Sequence, residues 1–97
     1  MKRRALKLRR AAVRDLAARE RLLARERGAV FAQHATDELL AWLGRVADGG
    51  AEVGTAHDSR AGMRTFGYRR QATILVRYTA TEMQVVRVYF RGRDWRR

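Results

Sequence analysis

Apolar residues recur with the two-residue period of a β-strand between residues 63 and 94. Because successive side chains of a strand point to opposite faces, this alternation predicts one strand over residues 73–78 and a second over residues 85–90. In the second strand the alternation assigns Val85 and Val88 to opposite faces. Few residues separate the two β-branched runs, so we expect them to form an antiparallel hairpin.

Two helices are predicted ahead of this hairpin. From residue 10 onward the chain predicts a helix of about four turns, one side of which carries Val13, Leu16, Ala17, Glu20 and Leu23. Gly28 is expected to end it, because glycine readily takes the left-handed conformation found after helix C-termini. A second helix is expected from about Ala29 to Ala47, with an apolar stripe made by Phe31, Ala35, Leu39, Trp42, Leu43 and Val46. So short a connection predicts an antiparallel helical hairpin that covers one face of the sheet.

The remaining segments complete a single domain. A weak alternation over residues 4–8 predicts a short first strand. Residues 63–66 predict another strand of the sheet, which is expected to end at Gly67. Residues 49–62 are rich in small and polar residues and have no periodicity, so they are expected to form a loop. The 97 residues therefore predict one α+β domain in the order β-α-α-β-β-β, with the helical hairpin packed on a small antiparallel sheet.

The net charge of +12 is unevenly distributed. Residues 1–28 carry eleven Lys or Arg and three acids, which gives +8, and residues 60–97 carry ten Arg and two acids, which also gives +8. Between them, residues 29–59 carry one Arg and five acids, which gives −4. Such a charge favours encounter with polyanions or with an acidic protein.

Several classes of protein are disfavoured by the composition. The chain has no cysteine, which excludes a disulfide framework and a cysteine nucleophile, and no residue cluster has the spacing of metal ligands, so no metal or other cofactor is expected. The basic start is followed by no apolar run, and no segment has the length of a membrane span, so a cytoplasmic protein is expected. His57 beside Asp58 in the loop is more typical of a solvated pair than of a general base, and His34 borders the stripe of the second helix.

One ordered set of residues runs through these elements: Ala12 with Asp15-Leu16, then Arg64, Gly67-Tyr68-Arg69, Arg77-Tyr78, Val86-Arg87-Val88 and Gly92-Arg93-Asp94. On a small basic chain this set resembles the ParE branch of the RelE/ParE toxins of bacterial type II toxin–antitoxin systems. The resemblance implies a small α+β toxin that is held inactive by a cognate antitoxin. It covers nearly the whole chain in the order of elements, and about 30 C-terminal residues in the specific motifs.

Family members act by two mechanisms. RelE-like toxins cleave messenger RNA in the ribosome, which requires a proton acceptor, a proton donor and cations around the phosphate. Many relatives carry histidine where this chain has Phe90, which cannot transfer a proton, and the neighbouring tyrosine is a poor base at its ordinary pKa near 10. The resemblance therefore favours the ParE-like branch, several of whose members inhibit DNA gyrase. An mRNA endonuclease that uses Arg64, Arg87 and Tyr89 is the first alternative, and a basic nucleic-acid-binding module is the second.

The resemblance and the charge together indicate two sets of binding residues. Those expected to contact the target are Arg77, Arg87, Tyr89, Arg91, Arg93 and Trp95. Those expected to contact the antitoxin, through the apolar side of the helical hairpin, are Leu16, Leu23, Phe31, Leu39 and Trp42. Arg87 also has a structural interpretation, in which it lies on the solvent face of the sheet or pairs with Glu82 or Asp94.

Overall fold

Two helices cover one face of a five-stranded sheet in the computed structural model, which describes residues 3–56 and 62–91. The elements are β1 (Ala5–Leu8), α1 (Arg10–Arg27), α2 (Ala29–Asp48), β2 (Thr55–Ala56), β3 (Met63–Tyr68), β4 (Ala72–Tyr78) and β5 (Glu82–Phe90). The strands lie in the order β1-β5-β4-β3-β2, in which β1 is parallel to β5 and the other neighbours are antiparallel. The expected α+β fold is confirmed, but the sheet is mixed rather than wholly antiparallel, because β1 is parallel to β5, and it contains one strand more than expected.

Several strands differ from the expected ones. The strand expected to end at Gly67 continues through that residue to Tyr68. The last strand begins at Glu82, three residues before the predicted start at residue 85, because β1 pairs with β5 from Glu82 onward. The segment predicted to be a loop contains the two-residue strand β2, in which Thr55 pairs with Thr65 at the edge of the sheet. His57 and Asp58 lie outside the described residues.

A bulge in β5 corrects the prediction for its faces. Val76 of β4 pairs with Val85, whereas the preceding residue of β4 pairs with Arg87, so Val86 is an extra residue in β5. An extra residue of this kind shifts the alternation of faces by one position. Val85 and Val88, expected on opposite faces, are therefore both buried in the core beneath the helices.

Gly28 both ends α1 and starts α2. Its N–H donates to the carbonyl of Ala24 at 2.9 Å, and its own carbonyl accepts from the N–H of Ala32 at 3.1 Å. Its φ of +95° favours glycine, but its ψ of 156° is extended, so it does not have the left-handed helical conformation that was expected. The helix that it ends has 18 residues, about one turn more than expected.

The core lies between the helical hairpin and the sheet. Its largest fully buried side chains are Leu43, Ile74, Met83, Val76 and Val85. In α1 the buried residues are Ala12 and Leu16, whereas Val13, assigned to the buried side by its spacing, is 48% exposed. In α2 Phe31 is 41% exposed, because residues 25–31 form the tip of the hairpin and are all exposed. Most of the buried helical residues therefore lie away from the hairpin tip, in the first half of α1 and the second half of α2.

Arg4 fastens the start of the chain to two loops. Its Nε donates to the carbonyl of Thr79 at 2.7 Å, and Nη1 donates to the carbonyl of Gly50 at 2.6 Å. Its Nη2 donates to the carboxylate of Glu52 at 3.1 Å. These contacts satisfy backbone carbonyls of two connecting segments with one side chain, and they fix the position of β1 at the edge of the sheet.

Candidate target and partner surfaces

The face of the sheet opposite the helices carries three of the six residues predicted to contact a target. We call this face the outer face; its residues on the three longest strands are Met63, Thr65, Gly67, Thr73, Leu75, Arg77, Glu82, Gln84, Arg87 and Tyr89. Tyr89 pairs with Thr73, which lies four residues before Arg77 on β4. The two ends of this surface are therefore separated by about 13 Å along the strand.

Asp15 of α1 holds Arg87 at the border of the outer face. The Nε of Arg87 donates to Oδ2 of Asp15 at 2.8 Å, and Nη2 donates to Oδ1 at 2.9 Å. The backbone N–H of Val88 donates to the same Oδ2 at 2.9 Å. Among the described residues, Arg87 thus pairs with Asp15 and not with Glu82, one of its two expected partners; the other, Asp94, lies outside the described residues.

The charges of this pair reinforce each other. Burial raises the pKa of Asp15. Hydrogen bonds from Arg87 and from the Val88 N–H, together with the charges of Arg87 and Arg14, lower it by more, so the pKa of Asp15 lies below the ordinary value. The hydrogen bond to Asp15 in turn raises the pKa of Arg87. Both groups are therefore charged at neutral pH, and each compensates the other.

The position of Asp15 follows from the short first strand. Since β1 pairs with β5 only as far as Val85, the part of β5 beyond that residue has one edge without a neighbouring strand. The chain turns from β1 into α1 beside this edge, and the Asp15 carboxylate accepts the Val88 N–H there. A side-chain carboxylate thus replaces a strand as the acceptor at this edge.

Tyr89 and Arg91 lie beyond the Asp15 contact. Tyr89 is 47% exposed, and the guanidinium of Arg87 lies 5.0 Å from the centre of its ring. Arg91 is exposed, and its N–H donates to the carbonyl of Gln71 at 2.9 Å. Arg77 is exposed at the other end of the outer face. The structure therefore offers Arg77, Tyr89 and Arg91 as accessible groups; the predicted residues Arg93 and Trp95 lie outside the described residues.

Arg64, predicted to act with Arg87 and Tyr89 in RNA cleavage, lies on the opposite face of the sheet. It pairs with Val76, a core residue beneath the helices, whereas Arg87 and Tyr89 pair with residues of the outer face. Its Nη1 donates to the carbonyl of Gly54 at 2.8 Å, and its Nε lies 3.8 Å from Glu52. The fold does not bring the three side chains together on one surface.

The residues predicted to contact an antitoxin divide between core and surface. Leu16 is 7% exposed and Leu39 is 2% exposed, so both side chains belong to the core. Trp42 is half-buried, with ring-centre distances of 4.9 Å to Tyr68 and 5.8 Å to Phe66. Leu23 is half-buried and Phe31 lies at the exposed tip.

A groove with a volume of about 120 Å³ opens beside Phe31, between the tip of the helical hairpin and the sheet. We call it the hairpin groove; its lining residues are Arg19, Phe31, His34, Ala35, Glu38, Tyr68 and Gln71. Glu38 accepts from Arg69 at 3.4 Å, and its other oxygen lies 3.6 Å from Nε2 of His34. The guanidinium of Arg27 lies 4.1 Å from the ring centre of Phe31. The groove thus combines aromatic surface with cations at its rim.

Two residues of these surfaces, Arg19 and Asp15, are not among those that the sequence predicts to contact a target or an antitoxin. Arg19 is half-buried, lies 4.3 Å above the ring of Phe90, and has a pKa lowered by burial. Arg19 lies three residues after Leu16 and four before Leu23, so helical spacing alone would have placed it on the core side of α1. Asp15 appears in the family motif, but its partner is 72 positions away and has no local signal.

Within residues 3–56 and 62–91, no group of three His, Cys, Asp or Glu side chains is placed to hold a metal ion. In the same residues, no helix is long and apolar enough to cross a membrane.

No family model matches this sequence, and no curated protein matches it. The structure is similar to a chain of the solved structure described as "Chromosomal ParDE TA system from P. aeruginosa", with a TM-score of 0.76 and 20% sequence identity. The similarity covers 92% of this chain and 97% of that chain. It confirms the RelE/ParE-like fold that the motifs predicted.

Proposed function

We propose that this chain is the toxin of a bacterial type II toxin–antitoxin system, that a cognate antitoxin neutralises it, and that it inhibits DNA gyrase in the cytoplasm. The observation that supports the proposal most strongly is the similarity of fold to a chain of a ParDE system over 92% of this chain and 97% of the other. Both chains are thus covered almost end to end. Fold alone does not define a function, so the proposal depends also on the residues.

The residues favour gyrase over messenger RNA as the target. An mRNA endonuclease needs its cations and proton-transfer groups around one phosphate, yet Arg64 lies across the sheet from Arg87 and Tyr89. Asp15 already occupies two nitrogens of Arg87. Phe90, where many relatives carry histidine, packs against the core beneath Arg19. The outer face is better suited to binding a target than to cleaving RNA.

The proposed antitoxin contacts the hairpin groove and the tip of the hairpin. Val30 is 85% exposed and Phe31 is 41% exposed, and Arg27 lies against the ring of Phe31. Aromatic residues with adjacent arginines are the anchors that interfaces use most. An acidic partner would also compensate the net charge of +12. Co-purification with the product of the neighbouring gene is expected to give a complex that survives high salt.

The decisive experiment compares gyrase with ribosomes. Purified protein is added to gyrase and supercoiled plasmid with ATP, and trapped cleavage complexes are released as linear DNA by detergent and protease. In parallel, the same protein is added to translating ribosomes, and the transcripts are mapped for cuts. We expect linear DNA in the first assay and intact transcripts in the second. The reverse result would make the chain a RelE-like endonuclease, and activity in neither assay would refute both mechanisms.

Variants of the outer face test which residues contact the target. We expect Arg77→Ala to reduce gyrase inhibition by about tenfold, as loss of an arginine anchor does at other interfaces. Arg45→Ala is the matched control, because Arg45 is an exposed arginine on α2, on the helical side of the sheet. Equal loss in both variants would refute the assignment of the outer face.

A further inference from the structure

Four arginines form a straight row on α1, on the side away from the core. Arg10, Arg14, Arg21 and Arg25 fall within an arc of about 60° at 3.6 residues per turn. All four are exposed, and the buried residues of α1, Ala12 and Leu16, lie roughly opposite this arc. The row, which we call the arginine row, extends over about 22 Å.

Little negative charge compensates the arginine row. Arg14 lies next to Asp15 and its charge lowers the pKa of that carboxyl, but the Asp15 carboxylate is hydrogen-bonded to Arg87. None of the salt bridges found among the described residues involves these four side chains. The pairs Arg10 with Arg14 and Arg21 with Arg25 are four residues apart, a spacing at which like charges destabilise a helix. The first turn of α1 carries no acid, and its N-cap residue, Arg9, forms no capping hydrogen bond. An anionic ligand along this face would relieve all of these repulsions.

From this arrangement we propose that the arginine row binds the phosphate backbone of double-stranded DNA. The gap between Arg14 and Arg21 is seven residues, or about 10 Å, close to the width of about 12 Å of the major groove. One arginine pair can therefore contact each bank of the groove. Ala17 and Ala18, which lie in the gap, are small and exposed and allow the helix to approach closely.

The composition of this face fits DNA better than a protein partner. Protein interfaces have an apolar core. Among the described residues of α1, however, Val13 is the one exposed apolar side chain larger than alanine. Interfaces with DNA are more polar and much more positively charged. The larger exposed apolar groups, Val30 and Phe31, lie at the hairpin tip and belong to the surface assigned above to the antitoxin.

This inference goes beyond the proposed function and does not rest on it. Its test is the binding of the purified chain to a fluorescent duplex of about 20 base pairs, measured by anisotropy at several salt concentrations. The assay contains neither gyrase nor antitoxin. A toxin that fails to bind DNA and a DNA-binding chain that fails to inhibit gyrase are therefore distinguishable results.

The variant Arg21→Gln with Arg25→Gln removes one pair of the row. Its matched control, Arg45→Gln with Arg70→Gln, removes the same number of charges from exposed positions on α2 and in the turn between β3 and β4. We expect the row variant to weaken DNA binding by about 10- to 100-fold at 0.1 M salt, and to make the slope of log K against log salt about 2 less negative. The control is expected to stay within about threefold, because its charges are remote and screened.

Loss of fold does not explain the expected result. Glutamine is a good helix former. The substitution removes a repulsive pair but also a cation, Arg25, from the last turn of α1, so the melting temperature of the row variant should stay close to that of the parent chain. Equal weakening by both variants would reduce the effect to net charge and overturn the proposal. So would parent protein that does not bind the duplex, or polyglutamate of equal charge that binds as tightly as the duplex.

Discussion

Asp15 and Arg87, separated by 72 positions, join α1 to β5 through two parallel hydrogen bonds of 2.8 and 2.9 Å. A third bond, from the Val88 N–H, makes the same carboxylate the acceptor for the open edge of β5. The Asp15 side chain thus holds α1 against the sheet and accepts the otherwise unpaired N–H of Val88. It also positions the guanidinium of Arg87 beside the ring of the exposed Tyr89. Stability and the shape of the outer face are coupled through this contact.

Replacing Asp15 by Asn should destabilise the fold. Asparagine has nearly the same size but no charge and a single acceptor oxygen, so the variant loses at least one of the three hydrogen bonds and weakens the others. We expect the free energy of unfolding to fall by about 1–3 kcal/mol, measured by urea denaturation. Asp37→Asn, at an exposed position of α2, is the control and should change it by less than about 0.5 kcal/mol. Equal effects would mean that the Asp15 contact contributes nothing specific.

The contribution of Asp15 should also depend on pH. In the folded chain its pKa is below the ordinary value of 3.8, because the hydrogen bonds and charges that lower it outweigh the burial that raises it. The unfolded state therefore binds the proton more readily, and stability is lost as the pH falls from about 5 through the folded pKa. The difference in unfolding free energy between the parent chain and Asp15→Asn should thus be largest near pH 7 and shrink toward pH 3. A constant difference would refute this linkage.

Alternation of apolar residues predicts β3, β4 and β5 because each of these strands has one face against the core. Alternation does not predict the bulge at Val86, because a bulge requires no particular residue type. The valines at positions 85, 86 and 88 fit either assignment of faces, so the pattern does not show where the faces exchange. The short strand β2 carries no periodicity that two residues could express. Its existence depends on the neighbouring edge of β3.

The candidate surfaces were less predictable than the fold. Helical spacing groups Leu16 with Leu23 and Leu39 with Phe31, but it does not reveal where each helix leaves the sheet. The point at which a helix leaves the sheet decides which of these apolar side chains are buried and which are exposed: Leu39 is buried and Phe31 is exposed. The pairing of Asp15 with Arg87 depends on the parallel placement of β1 beside β5, a contact between distant parts of the chain.

Two glycines should respond to alanine with opposite signs. Gly28 has a φ of +95°, where a Cβ is strained even though no atom lies within 4 Å of it, so Gly28→Ala should lower the free energy of unfolding by about 1–3 kcal/mol. Gly44 is inside α2, also with no atom within 4 Å of an added Cβ, so Gly44→Ala should raise it by about 0.5–1 kcal/mol. Thermal or urea unfolding measures both. A loss of stability in Gly44→Ala would show that this face of α2 has no room for a methyl group.

Leu39 and Phe31, both predicted to contact an antitoxin, should separate into a core residue and a binding residue. Leu39 is 2% exposed, so Leu39→Ala should lower the free energy of unfolding by about 2–5 kcal/mol. Phe31 is 41% exposed with Arg27 against its ring, so Phe31→Ala should cost about 1 kcal/mol or less in stability. If the hairpin tip binds the antitoxin, Phe31→Ala should nevertheless weaken that complex by about tenfold or more in a titration calorimeter. Unchanged affinity would exclude the hairpin tip from the interface.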